Sequence, residues 1–93
     1  MEKTIQKIEK NGIYAIYGHA AGIVEKGYAI VVLKIENDSV EGIRIGMDRP
    51  HNFKMSKDEF YKDMDENTLL FVEVLPKFVI KEMKGIYKNN LKS

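Results

Sequence analysis

The sequence predicts an α+β domain, in which a small, mostly antiparallel sheet carries two to three helices. Three observations predict it. Between residues 13 and 47, runs of strand-forming residues alternate with Gly, Asn and Asp turn signals, as in a β-meander. Ser56-x-x-Glu59 has the form of a capping box, in which each side chain satisfies the other's free backbone N–H at a helix start. From residue 79 onward apolar side chains recur at spacings of three and four, which puts them on one stripe of a helix. A run of hairpins followed by helices places those helices on one face or at one end of the sheet. Gly18, Gly22 and Gly42 offer bends for a partly rolled variant.

The elements follow in order. Ile5 and Ile8 stand three apart among charges, so residues 2–10 suit one face of a short helix that Asn11-Gly12 would stop. Asn-Gly is also a favoured hairpin turn, and a strand is the rival there. Ile13 to Tyr17 is rich in strand formers, weakens through Gly18 to Gly22, and resumes at Ile23-Val24. Glu25-Lys26-Gly27 reads as a tight hairpin loop. Tyr28 to Ile35 is almost continuously apolar, which marks the central strand. Asn37-Asp38-Ser39 is a turn, and Val40 to Met47 alternates around a bulge expected at Gly42. Residues 48–55 show no period and read as the longest loop. A helix over 57–65 is followed by an apolar strand over 68–75 that Pro76 ends. The last helix carries Val79, Ile80, Met83, Ile86, Tyr87 and Leu91 on its apolar stripe.

Ninety-three residues make one domain, 1–93. With no cysteine, disulfides, thiol catalysis and Cys-based metal sites are excluded within the chain. No apolar run approaches the ~20 residues of a membrane span, and Met1 to Lys7 lacks the apolar core of a signal peptide. A cytoplasmic location with no membrane contact is therefore expected. The net charge of +1 hides a polarity: residues 36–66 carry nine acids against five bases, whereas residues 76–93 carry five Lys against Glu82. Those two regions are electrically complementary and could pair within one chain or between two.

Motifs for catalysis are missing. The histidines lie 32 residues apart, without metal-ligand spacing. Ser39, Ser56 and Ser93 sit in no nucleophile turn, and no phosphate-binding loop occurs. Asp63 to Asn67 lacks the Gly and terminal Glu of a calcium loop. No cofactor and no metal are expected. Tyr17-Gly18-His19-Ala20-Ala21-Gly22-Ile23-Val24 resembles the Gly-His-x-x-Ile-Val strand of the NlpC/P60-like cysteine hydrolases, over eight residues. That resemblance would imply a hydrolase-like or ligand-binding site centred on His19. The family pairs this histidine with a cysteine nucleophile, which this chain lacks.

Two other features point to binding. Asp48, Arg49, His51 and Asn52 cluster in the stretch before the Ser56 helix, and loops on a rigid sheet are where binding residues concentrate. Arg49 presents a planar fork suited to carboxylate or phosphate, and His51 a ligand or base. Lys77, Lys81, Lys84, Lys88 and Lys92 form a second stripe on the last helix, able to contact phosphates and release counterions. No arginine or aromatic residue interleaves with them. The sequence thus favours a small, non-enzymatic binding or regulatory protein acting through protein–protein contacts as a homodimer, with an exposed edge of strand 28–35 or 68–75 completed by another copy. A nucleic-acid-binding domain using the lysine stripe is the alternative. Abundant Lys, Ile and Asn hint at an AT-rich genome, bacterial or from a mobile element.

Overall fold

The computed structural model describes residues 7–17 and 27–92. Seven elements follow one another: β1 (Gly12–Ile16), β2 (Gly27–Ile35), β3 (Ser39–Gly46), β4 (His51–Ser56), α1 (Lys57–Asp65), β5 (Leu69–Val74) and α2 (Lys77–Lys92). The strands form one antiparallel sheet in the order β4-β3-β2-β1-β5, which confirms the α+β class. It is an open sheet, with β4 and β5 as its edges, and it carries two helices among the described residues.

Successive side chains of a strand point to opposite faces, and both faces are used. Ile30 and Val32 join Tyr14, Val40, Phe53 and Met55 under α1, which contributes Phe60 and Met64. Val31 and Leu33 join Ile43 under α2, which contributes Ile80 and the half-buried Met83, Ile86 and Tyr87. The helices therefore cover opposite faces, where one face or one end had been expected. The continuous apolar run of β2 is the reason: four successive buried residues, Ile30 to Leu33, need cover on both sides. This puts α1 and its acids across the sheet from the basic α2, whereas β3 and β4 of the acidic stretch reach α2 through the Tyr87–Glu41 and Asn52–Tyr87 hydrogen bonds.

The connections follow from local chemistry. Ser56 caps α1, its hydroxyl accepting from the Glu59 N–H at 3.1 Å. At the other end Asn67 adopts φ 61°, its N–H bonds the Met64 carbonyl, and the Thr68 N–H bonds that of Asp63. That pairing is a Schellman motif, with Asn as the tolerated left-handed residue. Sheet and helix rings meet edge-on, Tyr14 of β1 against Phe60 of α1 at 4.9 Å and 86°.

Four expectations need correction. Residues 7–9 form no helix and residues 10–11 turn; residues 2–6 lie outside the described residues. Ile8 is buried in the core, and the Glu9 N–H donates to the Tyr14 hydroxyl at 2.9 Å, a partner that competes with a short helix. The stretch 48–55 is not one loop, since His51–Ser56 is β4. Its alternation is complete from Phe53, with Phe53 and Met55 buried and Lys54 and Ser56 exposed. The bulge expected at Gly42 lies opposite it, because Leu33 is the unpaired residue between Val32 and Lys34. A Cβ on Gly42 would stand 1.8 Å from the Val31 carbonyl oxygen, so only glycine fits against that bulge. Leu91, placed on the apolar stripe, is 64% exposed.

Candidate functional site

The two edges of the sheet differ in kind. β4 is closed by polar chemistry. Its apolar Phe53 and Met55 point into the core and Lys54 points to water. The Asn52 amide donates to the Tyr87 carbonyl at 3.0 Å, and the Asn90 amide donates to the Pro50 carbonyl at 3.2 Å and to Asn52 Oδ1 at 3.0 Å. A lysine and a helix fastened across the strand are established ways of blunting an edge.

β5 has no such protection among the described residues. After the buried Leu69, every residue to Val74 is exposed. Leu70 at 40%, Phe71 at 44%, Val72 at 57% and Val74 at 52% present apolar surface beside a row of backbone groups with no further strand in the sheet order. Glu73 is its one charge. A bulge between Glu73 and Phe71 leaves Val72 out of the ladder with β1. Next to the strand lies a depression of about 470 Å³, lined by Lys7, Glu9, Tyr14, Met64, Leu70 and Phe71. The Phe71 ring forms part of its wall and rests edge-on against Tyr14, 5.4 Å between centres.

The turn between β3 and β4 holds the other polar candidates. His51 Nε2 donates to Asp48 Oδ2 at 2.9 Å, and the Arg44 guanidinium lies 3.6 Å from the same carboxylate. The hydrogen bond to His51 holds the Asp48 carboxyl below the usual carboxylate range. Asp48 and His51 are thus joined, Arg49 and Met47 are exposed, and Asn52 is engaged with α2. The cluster read from sequence is therefore split: its first part is a surface turn, and Asn52 is a tie between layers.

The lysine stripe is where the spacing places it. Lys77, Lys81, Lys84 and Lys88 line one groove of about 600 Å³, whose floor includes Ile80 and Leu75 and whose far wall includes Asn11. Lys92, on the last turn, is not part of it. The expectation that no aromatic residue interleaves with the lysines needs correction: Phe78, between Lys77 and Lys81 in the chain, is 73% exposed. The signal was present, since Phe78 falls outside the apolar stripe. His19 lies outside the described residues.

Among the described residues no three or more His, Asp or Glu side chains gather to hold a metal ion, and no helix is long and apolar enough to cross a membrane. The Ser56 and Thr68 hydroxyls both serve the ends of α1. No known protein family matches this chain, and no curated protein or solved structure is significantly similar to it.

Proposed function

We propose that this chain is a non-enzymatic interaction module whose partner is a second copy of itself, joined through β5. The observation that carries the reading is the contrast between the edges, one carrying Lys54 and tied to α2, the other apolar and without such cover among the described residues. Two β5 strands related by a twofold axis run antiparallel and extend the sheet to twice its strands. Centred between Phe71 and Val72, the pairing sets Leu69 opposite Val74 and Leu70 opposite Glu73, so the two Glu73 carboxylates avoid facing each other. Ladder hydrogen bonds supply direction, and burial of Leu70, Phe71 and Val72 supplies most of the driving force, at about 25 cal/mol for each Å² of apolar surface covered. In this reading the Asp48–Arg49 turn, with Met47 beside it, is the contact left for a further protein partner, and the setting is cytoplasmic.

Sedimentation velocity of the wild type and Val72→Lys tests it. The expected result is a dimer for the wild type and a monomer with unchanged circular dichroism for the variant, because an edge lysine cannot be buried in a strand pair without cost. A wild type that stays monomeric at the highest attainable concentration contradicts the proposal.

A further inference from the structure

The basic groove on α2 carries a second and independent inference. Its lysines occupy positions 77, 81, 84 and 88, so they climb the helix in steps of about 6, 4.5 and 6 Å at ~1.5 Å per residue. Among the described residues none of the four belongs to an ion pair. The acidic α1 lies across the sheet from them, and the Glu41 carboxylate on their side is engaged by the Tyr87 hydroxyl. Folding gives no reason for Lys77. A helix N-terminus carries partial positive charge and favours acids, as α1 shows with Asp58 and Glu59. The first turn of α2 has no acid, and Lys77 opens the helix. Local rules broken without a structural gain point to a binding role.

Beside the lysines, Phe78 presents its ring to water, one residue after Lys77 and three before Lys81. Gly85, in the groove wall, has nothing within 4 Å of where a Cβ would stand, so the helix backbone is bare there to a close approach. A ladder of cations with an adjacent aromatic platform is the chemistry that holds single strands: phosphates track the basic groove while a base stacks on the ring. A base-reading surface would instead need several Arg, Asn or Gln at the contact, and the groove offers four lysines against the single Asn11. We propose that this groove binds single-stranded nucleic acid without sequence preference, with Lys77, Lys81, Lys84 and Lys88 on successive phosphates and Phe78 stacking on a base.

Fluorescence anisotropy with a labelled oligothymidylate of about twelve nucleotides, within the range of known single-strand sites, tests this on the full chain across a salt series. Four phosphate contacts predict that log affinity falls with log salt with a slope near −2.8, at about 0.7 per contact. The double substitution Lys81→Gln and Lys84→Gln weakens binding at least tenfold and brings the slope down by about 1.4. Phe78→Ala weakens binding by about fivefold or more and leaves the slope unchanged, because stacking releases no counterions. All three positions are exposed, so circular dichroism of the variants should match the wild type. Absence of binding at low salt, a double variant that binds as the wild type does, or competition by a duplex or by polyglutamate equal to that of the single strand would each overturn the proposal.

Discussion

The side-chain amide of Asn52 donates to the backbone carbonyl of Tyr87 across 35 positions of sequence, tying β4 to α2. Asn52 also accepts from Asn90, so one residue of β4 fastens two turns of α2. Asn52→Ala removes both bonds and leaves the Asn90 amide short of a partner. The expected cost is about 1–3 kcal/mol, read as a fall in melting temperature of about 4–8 °C for each kcal/mol. Unchanged melting would show that α2 is held by its apolar stripe alone.

Gly42 is the most constrained glycine described. Its missing Cβ faces the Val31 backbone, which cannot rotate aside as a side chain can. Gly42→Ala should destabilise by about 3 kcal/mol or more, checked by urea unfolding. A variant as stable as the wild type would mean that the β2 bulge at Leu33 yields easily.

Gly85 predicts the opposite sign. It lies inside α2 with open space around it, so Gly85→Ala should stabilise the chain by about 1 kcal/mol through helix propensity. If the groove takes a ligand close to the helix backbone, the same substitution should lower affinity for single strands while raising the melting temperature.

Alkaline pH reports on two tyrosines. Burial, followed by the 2.7 Å hydrogen bond that Tyr87 donates to Glu41, raises the Tyr87 phenol above its ordinary value. Burial raises Tyr14 as well. A raised folded value means that the native state keeps protons the unfolded chain would lose. The stabilisation is therefore complete below about pH 10 and fades as pH rises through the folded values. The urea midpoint should fall above about pH 10, and Tyr87→Phe should flatten that fall, at a cost of about 1 kcal/mol at neutral pH.

Particular residues show what was legible beforehand. Ser56 with Glu59, and the apolar residues of α2 from Val79 to Tyr87, define both helices because their signals are local. The run from Tyr28 to Ile35 marks the central strand because only a strand covered on both faces tolerates it. β4 was hidden because Asp48, Pro50 and His51 give loop chemistry to its start, so the alternation begins late. The side of the sheet each helix takes depends on contacts far apart in sequence, such as Ile80 with Ile43. The lysine stripe was legible at spacings of three and four, whereas the groove beside it needs Leu75 and Asn11 from other segments. β5 was legible as an apolar strand; its place at an edge, beside β1, was not.

Amide hydrogen exchange resolved to single strands, at low and high protein concentration, tests the central claim most directly. Association through β5 predicts that the amides of residues 69–74 become slower to exchange as concentration rises, while those of β4 do not change. Exchange at β5 that stays fast at every concentration, or protection that grows at β4 instead, would contradict the account.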